Sequence, residues 1–213
     1  AQDHKRIGDG DTGPNTGGMG AVSPPKGFGR AEQEAALDLL VRPMLREMVR
    51  RGTPFRGVIF AGLMLTSQGP SLIEYNVRFG DPEAEALLPR LTSDLLPALH
   101  ALAEDRLDVA PITFSNQASV CVVMAARGYP GTPEKGAVIH GVDTANALEG
   151  VKVFQAGTMQ DMAGDLVVSG GRVLAVCALA DTVQEAQTRA YAGVKAITWD
   201  GAVWRTDIGN RAL

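Results

Sequence analysis

Two long apolar runs in the C-terminal half of the chain constrain its fold more than any other feature. They are SVCVVMAA, which begins at Ser119, and VLAVCALA, which begins at Val173. Apolar runs of this length, rich in Val and Ala, predict strands inside a hydrophobic core. Cys121 and Cys177 lie within these runs without metal-like spacing, so we predict two buried, reduced cysteines.

Shorter β-like runs accompany these two strands. The stretches AVIHGV and VKVFQAG lie between them, and LVVSGGRVLAVCAL predicts a hairpin with its turn at Gly170 and Gly171. One helix is predicted over residues 182–197. We therefore expect the C-terminal part to be a small β-rich domain.

The N-terminal half combines helices with one predicted hairpin. Four-residue apolar spacing predicts a helix over residues 30–51, irregular at Pro43. The stretches GVIFAGLMLT and SLIEYNV, joined by the turn-forming SQGP, predict an antiparallel hairpin. A broken helical region is expected from Asp81 to about Arg106.

A proline-containing stretch, DVAPITFSNQA, predicts a connection between the two halves. With the boundary near Asn116, we expect one domain over residues 1–116 and a second over residues 117–213. The whole chain is predicted to have an α+β fold.

The charge balance excludes some classes of protein. The chain has 213 residues, 45% of them hydrophobic, and a formal net charge of −4. This charge argues against binding nucleic acid by phosphate neutralisation, and no apolar run approaches the length of a membrane span. Without a signal-peptide pattern, we expect a cytoplasmic protein with no nucleic-acid or membrane partner. Because the chain starts without Met, we expect either processing or a longer parent polypeptide.

The N-terminal stretch GDGDTGPNTGGMG is rich in glycine. It matches the spacing of a dinucleotide fingerprint, but it lacks the preceding buried strand and the following helix, so we reject that interpretation. Gly17, Gly18 and Gly20 can bring backbone N–H groups close to an anion or a carboxylate. The alternative is a surface loop rich in turns.

The second arm of the predicted hairpin places an acid beside an amide. Ile73, Tyr75 and Val77 alternate with Glu74 and Asn76, so the strand should have an apolar face and a face that carries both polar side chains. A solvated sheet face is the ordinary explanation of such a pattern. A paired oxygen-donor site is the alternative.

Five stretches together resemble one family, that of glycinamide ribonucleotide synthetase, also called phosphoribosylamine–glycine ligase. In chain order they are QDHKRIGDGDTGPNTGGMGAVSP, FRGVIFAGLML, IEYNVRFGDPEAEALLPRLTSDL, GYPGTPEKG and RTDIGNRAL. The resemblance implies the C-terminal lobe of an ATP-grasp fold, with an antiparallel sheet and helices, followed by a small β-rich domain. It also implies ATP-dependent ligation of glycine to 5-phosphoribosylamine, through a glycyl phosphate, in purine biosynthesis.

The resemblance also implies roles for individual residues. Glu74 and Asn76 match residues that hold Mg²⁺ or Mn²⁺ beneath the ATP phosphates. Arg78 is expected to stabilise the transferring phosphoryl group or the acyl phosphate, and its alternative is a surface salt bridge with Asp81 or Glu83. Asp81 is expected either to orient the substrate amine or to cap the helix that follows.

The glycine-rich loop matches the family segment beside the glycine and phosphoribosylamine sites. The predicted substrate-binding residues are Asp11, Asn15, Thr16, Gly17, Gly18 and Met19. Near the C-terminus, Arg205 and Asp207 match the family ending, where a pair that fixes the small domain to the main one is expected rather than a catalytic pair.

Two departures from the family pattern are tolerable, namely Val22 in place of a tyrosine and Gln155 in place of a histidine. The missing N-terminal part of the same polypeptide is the larger departure, since it supplies the adenine pocket and the phosphate-contacting lysines. We therefore expect the chain to be inactive alone. The remaining alternatives are another ATP-grasp carboxylate–amine ligase and a folded fragment without catalysis.

Overall fold

The structure, a computed structural model, describes residues 1–106 and 111–213. Its strands are β1 (Gln2–Asp3), β2 (Arg6–Gly8), β3 (Thr12–Asn15), β4 (Gly20–Ser23), β5 (Phe60–Thr66), β6 (Gly69–Asn76), β7 (Ala118–Ala126), β8 (Val151–Gln155), β9 (Thr158–Gln160), β10 (Leu166–Val168), β11 (Arg172–Ala180) and β12 (Ala202–Val203). Its α-helices are α1 (Arg30–Ala36), α2 (Arg42–Arg50), α3 (Glu83–Leu87), α4 (Leu96–Ala103), α5 (Val142–Asn146) and α6 (Val183–Ala196). The start of the predicted connection DVAPITFSNQA lies outside the described residues.

The two apolar runs form β7 and β11, the central strands of the main sheet. Within the described residues, this sheet has the order β1-β4-β7-β11-β8, with β12 also paired to β7. Every pairing in it is antiparallel. Antiparallel sheets combined with helices confirm the predicted α+β fold class.

The central strands are apolar throughout because both faces of the sheet are covered. Val122 and Val176 belong to a large core cluster on the side of α6. The next residues along each strand, Cys121 and Cys177, lie on the opposite face with Ala86 of α3. Successive side chains of a strand point to opposite faces, so burial of both faces requires a continuous apolar run. Both cysteines are free and buried, as predicted.

Helix α6 packs its small residues against the sheet. It begins after Thr182, whose hydroxyl accepts a hydrogen bond from the Glu185 N–H at 3.2 Å, and this is the N-cap expected of Thr. A Cβ added at Gly193 would lie 2.8 Å from Val176 Cγ1, so glycine permits the close approach of helix and strand. The helix predicted over residues 182–197 is confirmed.

The predicted helix over residues 30–51 is also confirmed, with one irregular turn. A π-helical turn, Leu37–Val41, separates α1 from α2. It ends just before Pro43, whose ring cannot donate the usual backbone hydrogen bond. Gly52 follows with φ of 76°, the left-handed conformation that glycine adopts after a helix end.

The chain divides into two compact units. The first unit comprises Ala1–Pro25, Asp81–Arg90 and Ser115–Leu213, and the second comprises Lys26–Gly80 and Leu91–Phe114. This grouping differs from a simple division at Asn116, because β4 pairs with β7 and α3 packs on the same sheet. The division into family domains over residues 1–116 and 117–213 stays a prediction.

The hairpin predicted at Gly170 and Gly171 is wrong. Strand β10 pairs with β9, whereas β11 pairs with β7 and β8. The two glycines instead permit close packing. A Cβ at Gly170 would lie 2.9 Å from Gly157 Cα, and one at Gly171 would lie 2.4 Å from the Tyr129 ring.

In the part of the chain that the structure describes, no helix combines the length and apolar character needed to cross a bilayer. The cytoplasmic location and the absence of a nucleic-acid partner stay predictions from the sequence.

Candidate functional site

The predicted hairpin is formed by β5 and β6, and it brings the acid and the amide together. Glu74 lies opposite Gly62, and Asn76 lies opposite Phe60. The Asn76 side-chain amide donates to Glu74 Oε1 at 2.9 Å, so the two side chains converge on one face. A Cβ added at Gly62 would lie 3.3 Å from Glu74 Cγ, so the glycine leaves room for the carboxylate.

The other face of β6 is only partly covered by the second unit. The Tyr75 hydroxyl donates to the Leu40 carbonyl. Ile73 and Val77 are 62% and 74% exposed, although the alternation predicted an apolar face. Beyond the strand, Arg78 is exposed and donates to the Phe79 carbonyl at 2.8 Å. Its guanidinium is held only by this local contact among the described residues of the second unit.

A hard divalent cation fits the donor set of the hairpin. A carboxylate and an amide supply oxygen ligands of the kind that Mg²⁺ and Mn²⁺ accept, and Glu74 is exposed. No cluster of three or more His, Cys, Asp or Glu side chains that could hold a metal occurs among the described residues. Two protein ligands with waters and substrate phosphates match the usual coordination of Mg²⁺ by proteins that bind nucleotides.

In the first unit, Thr16 sets the shape of the glycine-rich loop. Its N–H and its hydroxyl both donate to the Lys5 carbonyl, at 2.7 Å and 2.9 Å. The same hydroxyl accepts from the Gly18 N–H at 2.9 Å. Asn15, at the end of β3, is exposed. The loop therefore has a defined conformation and carries an exposed amide beside its glycines.

Gly17 and Gly18 each contact a neighbouring segment so closely that a side chain would collide. A Cβ at Gly17 would lie 2.9 Å from Arg172 Cζ. A Cβ at Gly18 would lie 2.4 Å from Pro82 Cδ, and Gly18 has φ of 126°. The Gly17 N–H donates to the Tyr129 hydroxyl at 2.8 Å. The loop glycines are thus required for packing within the protein, in addition to any access they give to a ligand.

Asp81 does not cap the helix that follows it. Helix α3 has Pro82 at its N-cap and no side-chain capping bond. The Asp81 carboxylate lies instead 2.9 Å from Arg172 Nη1, and Asp81 remains exposed. The expectation of a capping role is therefore replaced by an ion pair that leaves the second carboxylate oxygen available.

Asp11 is held by two arginines. Arg205, of which only 1% is exposed, donates to Asp11 at 2.8 Å and to both oxygens of Asp207 at 2.7 Å. Arg211 also pairs with Asp11. Burial acts to raise the pKa of Asp11, but the hydrogen bond from Arg205 and the two positive charges outweigh it and lower that pKa. Arg205 thus joins the C-terminal segment to the N-terminal one, while a structural rather than a catalytic role for the Arg205–Asp207 pair stays a prediction.

Met19 is part of the core and not of the surface. Its side chain is fully buried, its N–H donates to the His4 carbonyl, and its carbonyl accepts from the Val123 N–H. No group of Met19 is left to contact a ligand in this conformation.

Several ionisable side chains are buried beside the loop. Burial, assisted by the charge of Arg205, lowers the pKa of His4, and its Nε2 has no hydrogen-bond partner among the described residues. Burial, assisted by the charge of Asp3, raises the pKa of Glu83. Burial also raises the pKa of Glu85. The charged forms of His4, Glu83 and Glu85 are therefore disfavoured beside the glycine-rich loop.

Tyr129 and Arg172 were missed by sequence reasoning. Tyr129 belongs to the stretch GYPGTPEKG, which contributes to the family resemblance but had no chemical role assigned to it, and Arg172 begins the predicted strand run after Gly170 and Gly171. Neither pattern indicated a contact with the glycine-rich loop.

Two family models match most of the chain. The phosphoribosylglycinamide synthetase ATP-grasp (A) domain matches residues 1–84, and the phosphoribosylglycinamide synthetase C domain matches residues 119–211. Glu74 and Asn76 lie in the first range, whereas β7 and β11 lie in the second. The fold and the site therefore define part of an ATP-grasp domain followed by the C domain that accompanies it.

Individual proteins agree with this class. A phosphoribosylamine–glycine ligase from Mesorhizobium japonicum is 53% identical over 213 residues, which are 100% of this chain and 50% of that protein. The chloroplastic phosphoribosylamine–glycine ligase of Arabidopsis thaliana is 48% identical over 216 residues, with coverages of 100% and 41%. The crystal structure of phosphoribosylamine–glycine ligase from Thermotoga maritima has a TM-score of 0.85 and 35% identity, over 97% of this chain and 50% of that one. The chain belongs to the phosphoribosylglycinamide synthetase family, and it spans about half the length of the curated relatives it matches.

Proposed function

We propose that this chain is the C-terminal part of a phosphoribosylamine–glycine ligase. The ligase joins glycine to 5-phosphoribosylamine and converts ATP to ADP and phosphate, through a glycyl phosphate, in purine biosynthesis. The observation that carries the proposal is the convergence of Glu74 and Asn76, 2.9 Å apart, on a hairpin within the range matched by the ATP-grasp domain. The relatives from Mesorhizobium japonicum and Arabidopsis thaliana, both phosphoribosylamine–glycine ligases, support the same activity.

Glu74 and Asn76 would hold Mg²⁺ or Mn²⁺ through oxygen atoms. The cation supplies positive charge that neutralises phosphate oxygens of the co-substrate ATP. Arg78, two residues further along the chain, has an exposed guanidinium that can stabilise the charge of the transferring phosphoryl group. These three residues provide charge stabilisation and take no proton from the substrate.

The substrates would bind beside the glycine-rich loop of the first unit. Asn15, Thr16 and the peptide groups of Gly17 and Gly18 offer short polar contacts, and the exposed oxygen of Asp81 can accept a hydrogen bond from the substrate amine. Asp11 and Met19 were also expected to bind substrate. Since Asp11 is paired with arginines and Met19 is buried, we propose that both residues stabilise the conformation of the loop and do not contact the substrate.

We propose that the chain does not catalyse the reaction alone. Curated relatives are about twice as long, and the half without a counterpart here would supply the adenine pocket and the phosphate-contacting lysines. Without them, the ATP-binding site would be incomplete, and the transferring phosphoryl group would not be aligned with the attacking carboxylate. Steady formation of glycinamide ribonucleotide by this chain, above a control without protein, would show that the chain does catalyse the reaction alone and that this proposal is wrong.

Substitution of the hairpin pair tests the proposed function in the full-length enzyme. Glu74→Gln keeps the shape but removes the charge that most favours the cation, so turnover should fall by roughly a hundredfold or more with little change in the thermal melt. Asn76→Asp keeps an oxygen ligand, so its defect should be smaller and should differ between Mg²⁺ and Mn²⁺. The matched control is Glu149→Gln, whose side chain is 90% exposed.

The measurement is kcat as a function of metal concentration for the three variants. A solvated strand face predicts unchanged rates for all of them, since exposed polar substitutions seldom matter. Wild-type turnover by Glu74→Gln at ordinary magnesium concentrations would therefore show that Glu74 is not a metal ligand. A product other than glycinamide ribonucleotide from the wild-type enzyme would favour another ATP-grasp ligase.

A further inference from the structure

We propose that Arg172, together with Tyr129, is a positioning residue that fixes the Gly17 peptide and the Asp81 carboxylate. The inference rests on the proposed function, because it assigns these two groups to the substrate site of the ligase. All four residues belong to the first unit.

A single guanidinium nitrogen of Arg172 joins two separate segments. Its Nη1 atom lies 3.2 Å from the Gly17 carbonyl oxygen and 2.8 Å from the Asp81 carbonyl oxygen. It also lies 2.9 Å from Asp81 Oδ1, and the Arg172 side chain is only 22% exposed. Hydrogen bonds from a charged donor are stronger than neutral ones, and partial burial reduces their screening by solvent.

Tyr129 holds the other backbone group of the same residue. The Gly17 N–H donates to its hydroxyl at 2.8 Å, while the Gly17 carbonyl accepts from Arg172 and, at 3.4 Å, from Lys5. The Tyr129 ring packs on Gly171, where a Cβ would lie only 2.4 Å away. Gly171 therefore lets the ring approach the sheet, and the adjacent Arg172 completes the contact with the loop.

The absence of a side chain at Gly17 is what permits this arrangement. A Cβ there would lie 2.9 Å from Arg172 Cζ and 3.0 Å from its Nη2, so the guanidinium packs directly over the Gly17 backbone. An ordinary surface ion pair has long side chains that sample many conformations. Arg172 is instead restrained by two backbone carbonyls and one carboxylate.

The contact links the two ranges that the family models match. Gly17 and Asp81 lie in the ATP-grasp range, residues 1–84, whereas Tyr129 and Arg172 lie in the C-domain range, residues 119–211. The C domain thus orders a loop and an acid of the neighbouring domain. A small displacement of such groups can reduce turnover by about a hundredfold, because reacting atoms must be aligned.

The kinetic test uses the full-length enzyme with Arg172→Met, Arg172→Lys and Tyr129→Phe. The matched control is Arg127→Met, which removes a half-exposed arginine that pairs with Glu134 and Asp200. We expect Arg172→Met to lower kcat/KM for glycine and phosphoribosylamine by about ten- to a hundredfold, while the KM for ATP changes less than about twofold. Arg172→Lys should recover part of the loss, Tyr129→Phe should show a smaller loss, and Arg127→Met should match the wild type.

Hydrogen exchange of the same full-length variants tests the positioning role without reference to the reaction. Arg172→Met and Tyr129→Phe should accelerate exchange of the Gly17 amide, with the control unchanged. If the wild-type enzyme made no glycinamide ribonucleotide, the proposed function would fail, while exchange would still decide whether Arg172 orders the loop. Unchanged exchange at Gly17, or wild-type values of kcat/KM for glycine and phosphoribosylamine in Arg172→Met, would overturn the inference.

Discussion

Strand β7 and the hairpin of β5 and β6 are both rich in apolar residues, yet they differ completely in burial. All nine residues of β7 are buried. No residue of β5 or β6 is buried, and Met64, Leu65 and Ile73 are 56%, 54% and 62% exposed. The sheet around β7 is covered on its two faces by α3 and α6, which belong to the same unit.

This difference separates the part of the chain that should determine its stability from the part that carries the proposed metal ligands. The first unit carries a complete core, so it should determine how strongly the chain folds. The hairpin carries the polar pair Glu74 and Asn76 and leaves its apolar side chains uncovered by the described residues of the second unit. Because curated relatives are about twice as long, we propose that their additional half covers this hairpin.

A cavity in the core beside the main sheet should cause the largest loss of stability. Leu174 lies on β11 and is fully buried. We expect Leu174→Ala to reduce the free energy of unfolding by about 2–5 kcal/mol, since it removes apolar contacts and leaves a void. Urea denaturation of the chain measures this directly. A loss below about 1 kcal/mol would contradict the idea that the first unit carries the dominant core.

Loss of the buried guanidinium should give the next largest effect. Arg205→Met leaves Asp11 and Asp207 without their main partner, and we expect a loss of about 2–3 kcal/mol at neutral pH. The hydrogen bond from Arg205 holds the pKa of Asp207 well below its usual range. This stabilisation is therefore complete above about pH 4 and disappears as the pH falls through the lower pKa of the folded state.

Denaturation of the wild type and of Arg205→Met at a series of pH values tests the assignment. The difference in stability between them should narrow below pH 4. A difference that stays constant down to the acid transition would mean that the pair contributes through packing alone.

One substitution, at Glu85, should increase the stability of the folded protein because it removes an unfavourable charge. Burial raises the pKa of Glu85, and its Oε2 atom has no hydrogen-bond partner in the part of the chain that the structure describes. A carboxyl group with a raised pKa stabilises the fold at low pH and loses that contribution as the pH rises through its folded pKa. Glu85→Gln should therefore increase stability by about 1 kcal/mol at pH 7, with no gain below pH 4.5. Thermal melts of the wild type and the variant at pH 7 and below pH 4.5 test this prediction, and an equal gain in stability at both pH values would contradict it.

The smallest effect should come from the hairpin. Ile73 is 62% exposed, so Ile73→Ala should change the stability of this chain by less than about 0.5 kcal/mol. In the full-length enzyme, the same substitution should have an effect of about 1–3 kcal/mol if the additional half buries it. Equal, small effects in both proteins would show that the hairpin stays uncovered.

Elements with strong periodicity were predicted correctly. The helix at residues 182–197, the irregular helix at residues 30–51 and the hairpin that carries Glu74 and Asn76 are all present. In each case a local pattern of spacing, with a turn or a cap at its end, was sufficient.

Features that depend on distant contacts were not predicted. Strand β4 follows a glycine-rich loop and is too short to show alternation, so its pairing with β7 left no local signal. Capping of the following helix was one of two roles expected for Asp81, but its carboxylate pairs with Arg172, which lies far along the chain. Gly171 was interpreted as part of a turn because its role depends on the Tyr129 ring. The resemblance to a family led to the proposal of Glu74 and Asn76 as metal ligands, and the structure revealed the contacts of Arg172 and Tyr129.

The antiparallel pairing of β4 with β7 has a consequence for the evolution of chain length. Gly20 pairs with Val122, about a hundred residues apart, whereas Cys121 and Cys177 in β7 and β11 are about half as far apart. Each doubling of a closed loop costs only about 0.6 kcal/mol in chain entropy. Most of the intervening sequence forms the second unit. Insertions and deletions in that unit should therefore cost the sheet little in loop entropy, so the part of the chain that carries the proposed metal ligands can change in size while the sheet is retained.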